Sequence, residues 1–293
     1  MIAEDSAFER RVKRRAIANF GFHMAVLIAT LVGIVALAIL LFDIFSKGLS
    51  WLNWDFLTNF PSRFPKRAGI LSALTGTLWV TSITALLTFP IGLATAIFLE
   101  EYAPKSRLVN IIDINISNLA GVPSIVYGIL GLAAFMRGMR LGPSIIAGAL
   151  TMSLLVLPVM IIASREALRN VPGSLRIGFL AMGATKWQTI RHVVLPAAMP
   201  SIFTGTILMI SRAIGETAPL ILIGALAFVA YTPQSPMDGF TVLPIQIFSW
   251  VQRPQEDFTH LAAAAIIVLL TVLLSMNALS VWLRNKYENK IRA

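Results

Sequence analysis

Apolar residues along this chain gather into six long runs separated by short polar segments. They show neither the two-residue alternation of half-buried strands nor an apolar stripe confined to one helix face. The runs lie near residues 22–46, 71–98, 112–136, 143–164, 201–230 and 261–283. Each reaches the roughly 20 residues with which a helix crosses a bilayer core of about 30 Å. The pattern predicts an all-α, polytopic membrane protein with six transmembrane helices. Phe89, Pro90, Ile91 and Gly92 in the second run, and Pro158 in the fourth, predict bent helices whose freed backbone groups are satisfied inside a bundle. The first run lacks a small-residue cleavage site and follows a charged start (Glu4, Asp5, Glu9, then Arg10 to Arg15), so it reads as a retained anchor.

Composition agrees with that class. Of 293 residues, 57% are hydrophobic and 13% charged, against about 45–50% and about 25% in soluble domains. The 24 Lys and Arg against 14 Asp and Glu give a net charge of +10, which on a soluble protein would suggest nucleic acid. Here the cations sit at the ends of apolar runs, which is a membrane-orientation pattern, so the lipid bilayer is the expected partner and nucleic acid is not. With the N-terminus inside, 16 fall in inner segments and 7 in outer ones, and Arg212 alone falls within a run. Both termini are therefore expected in the cytoplasm of a bacterial cell, with the chain in the inner membrane. The chain has no cysteine, which removes disulfides, thiolate nucleophiles and cysteine metal sites. Phosphate-loop, H-E-x-x-H and G-x-S-x-G patterns are absent, and His23, His192 and His260 are scattered. No catalytic residue, metal or cofactor is expected.

The segment 47–70, with Trp51, Trp54, Phe56, Phe60 and Phe64, suits the outer headgroup region. The outer stretch 231–260, with Pro233, Pro236, Pro244, Pro254 and Trp250, reads as an ordered lid or docking surface, or as a passive connector. No polar segment approaches the roughly 100 residues of a catalytic domain. Three regions are expected: residues 1–68 with the N-terminus, first helix and outer loop; a core at 69–285 containing an inner loop at 165–200; and a tail at 286–293.

Within that inner loop Leu175, Phe179, Met182, Ile190 and Val193 recur at helical spacing, interrupted at Gly183. Two short helices joined at a glycine form either an interfacial amphipathic loop or a lever that passes a push from a soluble partner to two spanning helices. Gly183, Ala184 and Thr185, followed by Val193, Val194, Leu195 and Pro196, resemble the "EAA" signature of bacterial ABC importer permeases. The Glu, Ala and Ala slots hold Ile177, Gly178 and Phe179, so docking proceeds without the family's acidic residue. The resemblance implies that Gly183, Ala184, Thr185, Lys186, Leu195 and Pro196 belong to the segment that couples to an ATPase.

Arg212 and Glu216 lie four residues apart in the fifth run, placed to pair or to face a polar cavity. Charged groups near a bilayer centre are disfavoured by roughly 2.5–3.5 kcal/mol each and are functional by default, though a mutually neutralising structural pair is the alternative. The planar fork of an arginine suits an anionic oxygen ligand. Gly215, Glu216, Thr217, Ala218 and Pro219 resemble the signature of the phosphate ABC importer permeases of the PstA and PstC kind. So do the run Asn118 to Ile125, the pair Gly76 and Thr77, and the run Leu99 to Ala103. Chain length and the run 165–177 favour the PstA branch.

The resemblance implies a type I, MetI-like permease bundle importing inorganic phosphate. Its implied partners are a homologous PstC-like permease, a PstB-like ATP-binding subunit dimer and a PstS-like extracytoplasmic phosphate-binding protein. Candidate path residues are Arg212, Glu216, Thr217, Asn118, Ser124 and Thr77. Small polar side chains such as Asn115, Asn118, Ser124, Thr75 and Thr77 also serve as interhelical glue, and Gly121, Gly128 and Gly131 as close-packing positions. Two rival readings stay open: a permease for another oxyanion, and an ion-gradient-driven transporter that uses Glu216 as proton carrier. An intramembrane enzyme is disfavoured because no run holds paired catalytic groups.

Overall fold

The computed structural model describes residues 2–104, 106–225 and 228–292; Lys105, one of the inner cations, lies outside them. Among the described residues the regular elements are all helical. The helices are α1 (Ile2–Gly48), α2 (Trp54–Thr58), α3 (Leu71–Ile97), α4 (Arg107–Ala120), α5 (Ser124–Gly131), α6 (Ile145–Arg169), α7 (Gly173–Ala181), α8 (Lys186–Thr189), α9 (Leu195–Gly215), α10 (Ala218–Leu222), α11 (Leu243–Val251) and α12 (Glu256–Arg292). Five helical stretches are long and apolar enough to cross a membrane, or six if α4 and α5 together make one bent span. Side-chain caps mark several starts: Ser106 and Ser144 accept the N–H groups of Val109 and Ala147, and Thr185 forms a capping box with Gln188. Helices α3 and α6 run unbroken through Pro90 and Pro158.

The main core lies among α3, α6 and α9, around Val80, Met152, Val156, Met160 and Ile202, with α12 packed on α9. Two of the expected spans differ from this simple pattern. The third is not straight, because α4 and α5 meet at 99°. A helical Pro123 would lack a donor and press its ring on the carbonyl of Leu119, so the helix stops at Ala120. The Leu119 carbonyl instead accepts the Val122 N–H and the Tyr127 hydroxyl at 2.8 Å, which braces the bend. The fifth span also ends early. Pro219 would clash with the carbonyl of Gly215, and Glu216 is extended at φ −76°, ψ 129°. At its other end, α8 and a π-helical turn at Ile190–Val194 lead directly into α9, making one stretch of 30 residues from Lys186 to Gly215.

The stretch 231–260 is not a passive connector, since its middle enters the bundle, while residues 231–237 and 251–257 stay mostly exposed. Phe240 and Thr241 are fully buried. The Asp238 and Pro236 carbonyls accept the N–H groups of Ile145 and Ile146 at 3.1 and 2.9 Å, donors that the first turn of α6 leaves free. The Asp238 carboxylate accepts from the Gln234 and Ser235 amides, which hold its carboxyl below the usual carboxylate range. Trp250 of α11 packs in a second core with Phe258 and with Phe56, which is turned inward away from the expected headgroup region, whereas Trp54 and Phe64 stay exposed.

A side chain at Gly76 would overlap the Thr241 carbonyl oxygen, backbone that has nowhere to retreat. Gly76→Ala is expected to destabilise by about 1–3 kcal/mol, read as a lowered unfolding midpoint of the detergent-solubilised protein by tryptophan fluorescence. Gly33→Ala, in open space on α1, should leave the midpoint unchanged or raise it slightly.

Candidate functional site: a cavity at the helix bend

Helices α4, α5, α6 and α9 enclose a cavity of about 330 Å³ at the α4–α5 bend. Its wall combines residues 119–124 of the bend, Tyr127, the apolar Leu155, Val156 and Val159 of α6, and Met209, Arg212 and Glu216. Arg212 sits in the last turn of α9, where a cation complements the negative end of the helix dipole. Its side chain is 62% exposed, that of Glu216 20%, and the closest approach of the two is 3.9 Å from Nε to Oε1. That separation is attractive but too long for a hydrogen bond. Among the described residues no hydrogen bond engages the guanidinium, so its fork remains available. Opposite stands the start of α5, whose N-cap Pro123 offers no side-chain acceptor to the first N–H groups. A cationic fork and free amides in a wall that mixes polar and apolar surface can hold a small anion through several charge-assisted bonds.

Of the path residues expected from sequence, Arg212, Glu216 and Ser124 all line this cavity. Thr217 is half-buried beside Glu216, with its carbonyl accepting the Leu220 and Ile221 amides. Asn118 is exposed on α4 just before the wall begins, and Asn115 donates back to the Ile111 carbonyl. Thr77 lies elsewhere. Its buried hydroxyl donates to the Ala73 carbonyl at 2.7 Å and accepts the Leu243 amide at 3.0 Å, joining α3 to the start of α11. Gly128 and Gly131 let α5 approach Pro219 and Thr151, while a side chain at Gly121 would meet only the Asn118 carbonyl oxygen, at 3.4 Å. Among the described residues no group of three or more His, Asp or Glu side chains converges on a metal position.

The residues expected to couple to an ATPase lie at the α7–α8 end. Gly183 adopts φ +86°, a left-handed turn that reverses α7 into α8. Ala184 bonds back to the Phe179 carbonyl, Thr185 caps α8, and Lys186 places its ammonium 5.0 Å over the Tyr102 ring. Leu195 and Pro196 stand where the π-helical turn Ile190–Val194 passes into α9. Ile177, Met182 and Trp187 are exposed, 69%, 73% and 51%, an apolar surface around the turn.

Sequence reading passed over one feature near that end. Arg176 of α7 donates to Glu101 at 2.8 and 3.1 Å, and to the Leu168 and Val171 carbonyls at 2.8 and 2.6 Å. Arg165 bonds to Glu100 at 3.4 Å and to Asp113 of α4, and Arg169 pairs with Glu100 at 3.1 Å. Three acids thus meet three arginines. The signal was present: Asp113 opens one apolar run and two glutamates close another, opposite arginines at 165, 169 and 176.

Comparison with known proteins agrees with this architecture. The chain matches the family described as binding-protein-dependent transport system inner membrane component over residues 88–289. It is 32% identical to the probable ABC transporter permease protein YqgI of Bacillus subtilis, covering 94% of this chain and 95% of that one. It is 32% identical to the phosphate transport system permease protein PstA 1 of Mycobacterium tuberculosis, covering 90% and 85%. In fold it resembles a chain of a bacterial alginate ABC transporter crystallised with its alginate-bound periplasmic protein, at TM-score 0.63, 17% identity and 91% and 93% coverage. It also resembles a chain of the inward-facing MetNI methionine ABC transporter, at TM-score 0.59, 17% identity and 74% and 95% coverage. The chain is an integral, multi-pass ABC importer permease subunit of the type I, MetI-like fold, and it belongs to the binding-protein-dependent transport system inner membrane components.

Proposed function

We propose that this chain is the PstA-type permease subunit of an ATP-driven importer of inorganic phosphate. It forms half of the path beside a homologous permease, takes phosphate from an extracytoplasmic binding protein, and is moved by a dimer of ATP-binding subunits. Both termini and the α7–α8 end face the cytoplasm, with α11 on the outer side. The carrying observation is the cavity at the bend, where Arg212 offers an uncommitted fork at the end of a helix that starts in the coupling segment. Support for phosphate comes from relatives named as phosphate permeases, PstA 1 among them, and from the fit of that fork to a tetrahedral oxyanion.

The mechanism follows from the continuity of the Lys186–Gly215 stretch. Arg212 lies roughly 40 Å along its axis from Lys186, at 1.5 Å per residue. A push on α8 therefore reaches the cavity along continuous helix. Two states of the bundle, facing out or in, are biased by nucleotide binding in the partner. In the outward state the anion meets Arg212 and the α5 N-terminus. In the inward state Glu216 competes for the arginine and favours release. No bond in the substrate is made or broken.

The test is purification from native membranes with associated subunits, then reconstitution in liposomes. Phosphate is expected to stimulate ATP turnover more than sulfate or molybdate. Stronger stimulation by another oxyanion would reassign the substrate, and proton-coupled flux by the chain alone would overturn ATP coupling.

A further inference from the structure

The Lys186–Gly215 stretch explains how α9 moves, but the opposite wall of the cavity is made by α4 and the bend that follows it. Helix α4 has no buried residue among those described, so apolar packing gives it little hold on the bundle. Its ionic hold is Asp113, which meets Arg165 of α6. Arg165 shares Glu100 with Arg169, and the neighbouring Glu101, 9% exposed, is gripped by Arg176 of α7. Arg176 also satisfies the carbonyls of Leu168 and Val171, the free acceptors where α6 ends. The other coupling helix reaches the same strip of chain, through Lys186 over Tyr102. Both helices of the coupling segment are thus hooked to residues 100–102 in the π-helical turn Phe98–Tyr102 that ends the α3 stretch.

We propose that Arg176, Glu101, Glu100, Arg165 and Asp113 form a second transmission line that carries motion of α7 to α4, the wall facing Arg212. They are positioning residues and touch no substrate. This rests on the coupling role assigned above to the α7–α8 segment. The geometry favours such a role over general stabilisation for two reasons. The chain of contacts crosses four segments in order, from α7 to the end of α3, to α6, to α4. From Asp113 to the bend is then about 10 Å of helix, a short rigid arm. Surface ion pairs contribute little because water competes for each partner. These are partly withdrawn from water, the side chains of Glu101, Arg165, Glu100, Arg176 and Asp113 being 9%, 16%, 19%, 22% and 31% exposed.

The test uses the complete reconstituted importer and measures phosphate transported per ATP hydrolysed. Arg176→Gln and Glu101→Gln are each expected to lower that ratio about tenfold while phosphate-stimulated ATP turnover persists, and the double variant should be no worse than either single one. Asp113→Asn should act likewise, and Arg176→Lys should recover part of the ratio. Because this chain has no cysteine, cysteines introduced at Asn115 of α4 and Leu274 of α12 can be spin-labelled on the purified chain before it is assembled with its partner subunits. Their separation should change on ATP binding in the wild type and stay fixed in Asp113→Asn. An unchanged ratio in these variants with a coupled wild type would overturn the transmission line. So would strict additivity, or retained α4 motion in Asp113→Asn. A wild-type complex in which no anion stimulates ATP turnover would instead overturn the coupling role itself. Co-purification of each variant with its partners reports assembly, and an unassembled variant is replaced by Arg165→Lys, which keeps the charge while losing the fork and should lower the ratio by a smaller factor.

Discussion

Replacing Arg212 by alanine is expected to abolish phosphate uptake while the importer still assembles. The guanidinium makes no hydrogen bond among the described residues and lies 3.9 Å from Glu216, so the substitution removes little from the fold. What it removes is the cation facing the substrate. A phosphate left without its charged partner in a partly dehydrated cavity is disfavoured by about 3 kcal/mol, roughly 150-fold in affinity or rate. Glu216 then adds repulsion, no longer offset. The measurement is uptake of radiolabelled phosphate in cells or proteoliposomes, with complex recovery as the assembly control. Arg212→Lys keeps the point charge and loses the paired geometry, so it should retain partial uptake. Wild-type uptake in Arg212→Ala would remove this residue from the path.

The second large effect is expected from Gly183→Pro. Proline holds φ near −65° and has no N–H, while this position needs φ +86° and donates to the Leu180 carbonyl at 3.0 Å. The turn between α7 and α8 cannot form as it stands, a defect of about 3 kcal/mol or more. Phosphate should then no longer stimulate ATP turnover, although the spanning helices remain. Gly183→Asn is the matched control, since asparagine enters the left-handed region at modest cost, and most of the coupling should survive. Equal coupling in the proline and wild-type proteins would show that the turn carries no force.

The length of the apolar runs and the placement of charge were enough to read the all-helical class and its six runs. Run length against bilayer thickness is a local property, and so is a proline's missing donor. What prolines do in context was less legible. Pro90 and Pro158 sit inside unbroken helices, whereas Pro123 and Pro219 end theirs. At Pro123 a tyrosine, Tyr127, takes the carbonyl that the break frees. At the cavity, Arg212 and Glu216 were legible because charge is conspicuous in an apolar run. Thr77 was not separable from them by type, since a threonine serves equally as path or as joint until its partners, Ala73 and Leu243, are seen.

The linear chain alone determined that this protein lives in a bilayer and which arginine stands out, because each follows from transfer energies of successive residues. Tertiary structure decided the rest. It bent α4 against α5, drove Phe240 and Thr241 into the bundle, and brought Glu100, Glu101 and Asp113 onto arginines 52 to 75 positions away. Those pairings depend on which helices become neighbours, a choice made by the packing of whole faces that no short stretch of residues contains.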